Sequence, residues 1–135
     1  MLGDIRNFER IKRATEGCDY VFNAAAIKHV SFSEYNPMEA ISVNVNGLEN
    51  IIEACFIQNV KKLVHISTDK AVVPTTVMGA TKMLGERLCI SRNLAKGSHI
   101  TKISCVRFGN VLGSRGSIIP LIKNQIKNEN IVTLT

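Results

Sequence analysis

Tryptophan is absent from the 135 residues, tyrosine occurs twice and proline three times. No apolar run approaches the roughly 18 residues needed to cross a bilayer, and Met1 to Arg13 lacks the basic-then-apolar order of a secretory leader. These absences point to a cytoplasmic chain with no membrane span of its own. The four cysteines, Cys18, Cys55, Cys89 and Cys105, stand 37, 34 and 16 residues apart without a C-x-x-C pair. That spacing favours buried free thiols over a disulfide framework or a zinc site, and no metal is expected. Acidic charge is thin in one half only: residues 1–60 carry five basic and eight acidic side chains, residues 61–135 twelve basic and three acidic. The second half should therefore attract anions. After residue 60 the single Phe, Tyr or Trp is Phe108, so the interleaved stacking rings of a single-strand nucleic-acid binder are missing. No nucleic acid is expected, and a compact phosphate ligand fits better.

What is present alternates between two periods. Short apolar runs at Tyr20–Ala25, Leu63–Ser67 and Ile103–Val106 have the length and continuity of strands buried on both faces. Between the first two, Ile41, Val45, Leu48, Ile52 and Cys55 recur at three- and four-residue spacing, predicting an amphipathic helix from about Pro37 to Asn59 with the proline in its first turn. A second helix is predicted from about Val77 to Leu94, with Gly97 as its stop. Strand, helix, strand, helix, strand in one undivided chain implies an α/β fold: a partial Rossmann-like, doubly wound parallel sheet over residues 1–135. Open sheets of this kind bind ligands beyond the carboxyl ends of their strands. Those ends carry polar residues a plain connection would not need: Lys28 and His29 after the first, Thr68, Asp69 and Lys70 after the second, and Gly109 to Ser117 after the third.

The densest group is Ser67-Thr68-Asp69-Lys70, followed by Pro74 and Met78-Gly79-Ala80-Thr81-Lys82. The segment STDKAVVPTTVMGATK, with NAAAIKHVSFSEYNP upstream and VRFGNVLGSRGSIIPL downstream, resembles the extended short-chain dehydrogenase/reductase superfamily. Within it, the chain is most similar to the polysaccharide-biosynthesis (capsule protein type) UDP-N-acetylglucosamine 4,6-dehydratase branch. The resemblance implies a nicotinamide cofactor, NADP or NAD, and a UDP-N-acetylhexosamine substrate. It implies that Asp4 and Ile5 lie beside the adenine ring, that Ala24, Ala25 and Ala26 let the dinucleotide approach the backbone, and that Lys28 and His29 border the active site. Without the resemblance the lesser readings are Asp4 as a turn residue and the alanines as core packing.

In the superfamily a Ser/Thr, a Tyr and a Lys four residues beyond the Tyr carry proton and hydride chemistry. Thr68 and Lys82 take the first and last places, while Met78 stands at the Tyr place. A thioether has no ionisable proton, so the burden passes to Asp69 and Lys70. Elimination across C5 and C6 of a 4-keto sugar needs a base and an acid close together, roles that suit Lys70 and Asp69. Lys82 should hold the nicotinamide ribose, Phe108 and Asn110 should line the cofactor, and Asn110, Arg115 and Ser117 should meet the sugar nucleotide.

The glycine-rich turn that receives a dinucleotide pyrophosphate is not among these residues. The chain therefore reads as an internal fragment, without the first βαβ unit and the C-terminal substrate part of a longer enzyme. That enzyme is expected to be a homo-oligomer and open to membrane anchoring on the cytoplasmic side; a UDP-sugar 4-epimerase of the same superfamily is the near alternative and a non-catalytic remnant the contrasting reading. The 135 residues alone should bind NADP weakly or not at all, and titration calorimetry showing affinity equal to that of a complete dehydratase would overturn that expectation.

Overall fold

The computed structural model describes residues 1–113, 118–129 and 132. Three apolar segments form the strands β1 (Tyr20–Asn23), β2 (Lys62–Thr68) and β3 (Lys102–Phe108). They pair in parallel in the order β1-β2-β3, with Val21 beside Leu63 and Leu63 beside Ile103, and with Asn23 beside His65 and His65 beside Cys105. Parallel neighbours need crossover connections. The first runs through α2 (Val30–Tyr35), α3 (Pro37–Ile41) and α4 (Gly47–Ile57), the second through α5 (Val77–Leu94). α1 (Phe8–Thr15) precedes β1 and α6 (Ile118–Glu129) follows β3. The resulting three-stranded parallel α/β sheet is the Rossmann-like arrangement expected from the alternation of periods.

The long helix predicted from Pro37 is two helices joined by one π-helical turn, Ser42–Asn46. The extra residue in that turn drives Asn44 inward, where it is buried. α1 was invisible to the apolar-run reading because charge dominates it; it begins at Asn7, whose side chain accepts from the Arg10 amide.

Leu48, Ile51, Ile52, Cys55 and Phe56 from α4 meet Cys89 from α5, with Val60, Leu63 and Ile103 completing the core. These contacts lie on one face of the sheet, the face carrying Val21, Leu63 and Ile103 at matched register. Strand side chains alternate between faces, and the other face shows Tyr20, Phe22 and Phe108 at 58%, 70% and 50% exposure. The expectation that every strand is buried on both faces is thus corrected. An apolar run reports that both faces are apolar, while burial also needs a second layer to cover them. The thiols divide likewise: Cys55 and Cys89 are buried, Cys18 and Cys105 only partly so.

Ile52 is fully buried where α4 meets the sheet, so Ile52→Ala should lower stability by about 3 kcal/mol. Urea denaturation of the two proteins measures the difference.

Candidate active site

The carboxyl ends of β2 and β3 meet at matched register, Thr68 beside Phe108. A single turn of 3-10 helix, Asp69–Ala71, follows β2 directly. Thr68 starts it: its hydroxyl donates to Asp69 Oδ1 at 2.8 Å and its Oγ1 accepts from the Lys70 amide at 3.4 Å. Lys70 Nζ then donates to Asp69 Oδ1 at 3.1 Å and, across to the segment after β3, to Asn110 Oδ1 at 3.1 Å. Four of the expected site residues, Thr68, Asp69, Lys70 and Asn110, therefore form one connected group. It is open to solvent, the side chains of Lys70 and Asp69 being 44% and 54% exposed. The Thr68 hydroxyl first, and the Lys70 ammonium second, hold the Asp69 carboxyl below the usual carboxylate range. Asp69 is ionised at neutral pH, and in this exposed turn attraction outweighs burial, moving its pKa away from neutrality rather than toward it.

α5 is fitted closely beneath this turn. Thr76 caps it, its Oγ1 accepting from the Gly79 amide at 3.1 Å. Glu34 of α2 adds a second acceptor, Oε1 taking the Val77 amide at 2.7 Å. Gly79 lies against the turn itself, and a Cβ there would come within 2.7 Å of the Lys70 carbonyl oxygen. Met78 is buried in the first turn of α5, and Lys82, one turn on, is 7% exposed. Lys82 Nζ donates to the Ile66 carbonyl at 2.8 Å. Burial pushes its ammonium pKa down, against smaller opposing effects of Cys105, Cys89 and Glu86.

At the end of β1, Ala24 and Ala25 are exposed and Ala26 half-buried; Lys28 and His29 are exposed just before α2. Phe108 and Asn110 are exposed at the end of β3. Asp4 sits in a separate ion network: both its oxygens accept from Arg6, whose Nη1 also donates to Glu39 at 2.6 Å. The Arg6 hydrogen bonds lower the Asp4 pKa to about 2. Ile5 is half-buried, part of its side chain filling the space a Cβ at Gly47 would need. Arg115 and Ser117 lie outside the described residues.

Two groups escaped the sequence reading. Asn44, from the π-helical turn, accepts from the Ile27 amide at 2.8 Å, donates to the Ile27 carbonyl at 3.1 Å and donates to Thr81 Oγ1 at 3.0 Å. It ties the segment before Lys28 to α5; the available signal was an asparagine inside an otherwise apolar helical stripe. Glu86 of α5 receives Arg107 of β3 through two hydrogen bonds, at 2.9 and 2.7 Å. Those bonds hold the Glu86 carboxyl below its ordinary range. Among the described residues no group of three metal-ligating side chains gathers.

A parallel α/β sheet with Thr68, an Asp-Lys pair and a buried Lys82 at its carboxyl end defines the class as an extended short-chain dehydrogenase/reductase. The family profile described as "Polysaccharide biosynthesis protein" matches residues 1–135, and the chain belongs to that family. It is 59% identical over 134 residues to an uncharacterized membrane protein of Methanocaldococcus jannaschii, covering 99% of this chain and 40% of that one. It is 46% identical over 125 residues to a UDP-N-acetylglucosamine 4,6-dehydratase (inverting) of Campylobacter jejuni, covering 93% and 37%. It is 47% identical over 134 residues to a UDP-glucose 4-epimerase of Rickettsia canadensis, covering 99% and 39%. Among solved structures, Pen from Bacillus thuringiensis superposes with TM-score 0.97 at 52% identity, over 100% of this chain and 42% of that one. The NAD complex of a UDP-glucose 4-epimerase from Thermus thermophilus superposes with TM-score 0.74 at 28% identity, over 85% and 42%. The chain thus spans about two fifths of the length of the curated relatives it matches. Among the described residues no helix is long and apolar enough to cross a membrane.

The Gly79 contact gives a direct test of how α5 carries the turn. Although alanine favours a helix, Gly79→Ala should cost about 1–3 kcal/mol because the obstructing atom is backbone. Urea denaturation reads the loss, and substrate turnover should fall with it.

Proposed function

We propose that this chain carries the catalytic turn of a NAD(P)-dependent 4,6-dehydratase acting on a UDP-N-acetylhexosamine, in the assembly of surface polysaccharide or glycan. The observation that carries the reading is the Asp69–Lys70 pair, joined at 3.1 Å at the mouth of a strand and tied to Asn110. Elimination needs an acid and a base this close, whereas epimerisation expels no leaving group. The dehydratase relative of Campylobacter jejuni supports the reading.

The residues present suit a nicotinamide dinucleotide. Ala24 and Ala25 are exposed beyond β1 and offer only a Cβ to an approaching ligand. Lys82 has three donors and directs one to Ile66, leaving capacity for ribose hydroxyls. The NAD complex of the Thermus thermophilus relative supports this class of cofactor, and the choice between NAD and NADP stays within the proposal. When bound, the cofactor accepts hydride from C4 of the sugar and returns it at C6. Asp4 and Ile5 would border the adenine, Phe108 and Asn110 the nicotinamide end, and Lys28, His29, Arg115 and Ser117 the sugar nucleotide.

The ionised state of Asp69 orders the proton movements. Met78 has no proton to exchange, so the Asp69 carboxylate takes the 4-hydroxyl proton as C4 is oxidised. It then holds the proton that the 6-hydroxyl needs to leave as water. Lys70, displaced from Asp69 by the sugar and having released its ammonium proton to solvent, takes the C5 proton acidified by the 4-keto group as a free amine; without that cation the Asp69 carboxyl retains its proton more easily. The proton taken from C5 goes back to C5 as hydride reaches C6; Asp69 ends as it began, and Lys70 regains its ammonium proton from solvent.

A 4-epimerase is the second reading, favoured by the 47% identity to the Rickettsia canadensis protein. Incubating the native gene product with UDP-N-acetylglucosamine deuterated at C4 separates the two by NMR. Dehydration yields a 4-keto-6-deoxy sugar with deuterium at C6; epimerisation yields the galacto sugar with none there. Asp69→Asn should reduce dehydration by about a hundredfold or more, and undiminished turnover would remove Asp69 from its role.

A further inference from the structure

A buried pair that the proton chemistry does not use lies one residue behind the exposed alanines. Asn23 ends β1 and His65 is its register partner in β2; they are 4% and 1% exposed. Asn23 Oδ1 accepts from the Ala25 amide at 3.1 Å, and Asn23 Nδ2 stands 3.2 Å from His65 Nδ1. Only the oxygen of a carboxamide can take the Ala25 proton, so its nitrogen must donate to the ring. His65 Nδ1 is therefore the acceptor and the ring proton sits on Nε2. Burial first, and the Lys82 charge second, push the His65 pKa down to about 4, so the ring is neutral across the physiological range.

The other side of the ring shows what this arrangement costs. His65 Nε2 is buried without a hydrogen-bond partner. A Cβ at position 85 would lie 3.2 Å from it, so Gly85 makes its room. A leucine at position 65 would fill the space with no unpaired donor. What leucine could not supply is the acceptor that orients Asn23.

We infer that His65 is a positioning residue, whose Nδ1 fixes the Asn23 amide and, through it, the backbone turn at Ala24–Ala26 that would lie against the dinucleotide. The last step rests on the dehydrogenase-type cofactor reading; the first two do not.

Two amide substitutions separate this role from plain packing. Asn at position 65 places Oδ1 as many bonds from Cα as the imidazole Nδ1. Gln places its polar atoms where Nε2 was and comes nearer to histidine in bulk. In the native gene product, His65→Asn should leave hydrogen exchange at the Ala25 amide close to wild type, while His65→Gln and His65→Leu should accelerate it about tenfold. NAD affinity should follow the same order, with turnover at saturating NAD changing little. Long-range ¹⁵N correlation of the ring should show protonated Nε2 in the wild type. In Asn23→Asp, where only oxygens face the ring, the proton should move to Nδ1.

Exchange that ranks Gln above Asn, or wild-type exchange in the Leu variant, overturns the inference, as does a wild-type ring protonated at Nδ1. Failure of the cofactor reading shows differently: Ala25→Leu would bind NAD as tightly as wild type while the exchange and ring-proton results stood.

Discussion

The site depends on how near α5 lies to the end of β2, and the Lys82 ammonium measures that nearness. Its Nζ reaches the Ile66 carbonyl at 2.8 Å while the side chain is 7% exposed. A buried ammonium is tolerated only beside a good acceptor. The acceptor is in reach because α5 carries glycine at two contacts, Gly79 against the Lys70 carbonyl and Gly85 against Leu48 and His65. Asn44 extends the joint by holding both Thr81 of α5 and the backbone of Ile27. Small residues on one helix thus set the spacing among three segments that otherwise share no covalent neighbourhood.

Charge divides between the mouth of the site and its frame. Asp69 and Lys70 are solvent-exposed and joined by a contact a ligand can displace. Glu86 and Arg107 lie behind them, linked by two parallel hydrogen bonds that pin β3 to α5. Arg92 pairs with Glu49 and Glu53 and lies 5.4 Å from the centre of the Phe56 ring. Part of the basic excess after residue 60 is therefore matched by acids on α4 and α5. The anion-attracting charge is smaller than composition alone suggests.

Much of this was legible in the sequence, for identifiable reasons. The extent of α5 was readable because apolar residues recur ahead of Gly97, although its buried face proved to carry Thr81, Lys82, Gly85 and Glu86 while Leu84 and Ile90 are exposed. The three strands were readable because short apolar runs between polar residues have few other uses. Thr68, Asp69, Lys70 and Asn110 were singled out, and hydrogen bonds connect them. What escaped depends on distances rather than patterns. The lowering of the Asp69 pKa below the ordinary carboxylate range follows first from a hydroxyl at 2.8 Å, a contact that adjacency in sequence does not dictate. The open sheet face escaped because apolar character does not say whether a neighbour is present. His65 escaped because a histidine in a strand core looks like any other until its partner is known.

The π-helical turn at Ser42–Asn46 holds one residue more than an α-helical turn would. α3 and α4 are therefore two helices in different rotational phase, although their hydropathy merges into one stripe. Loss of a single residue within the turn would weld them into one regular helix, rotating everything on one side by about 100° relative to the other. Either Asn44 would leave Ile27 and Thr81, or Leu48 and Ile52 would leave the core. The segment's length is thus as binding as its composition, and it should accept substitutions far more readily than one-residue deletions.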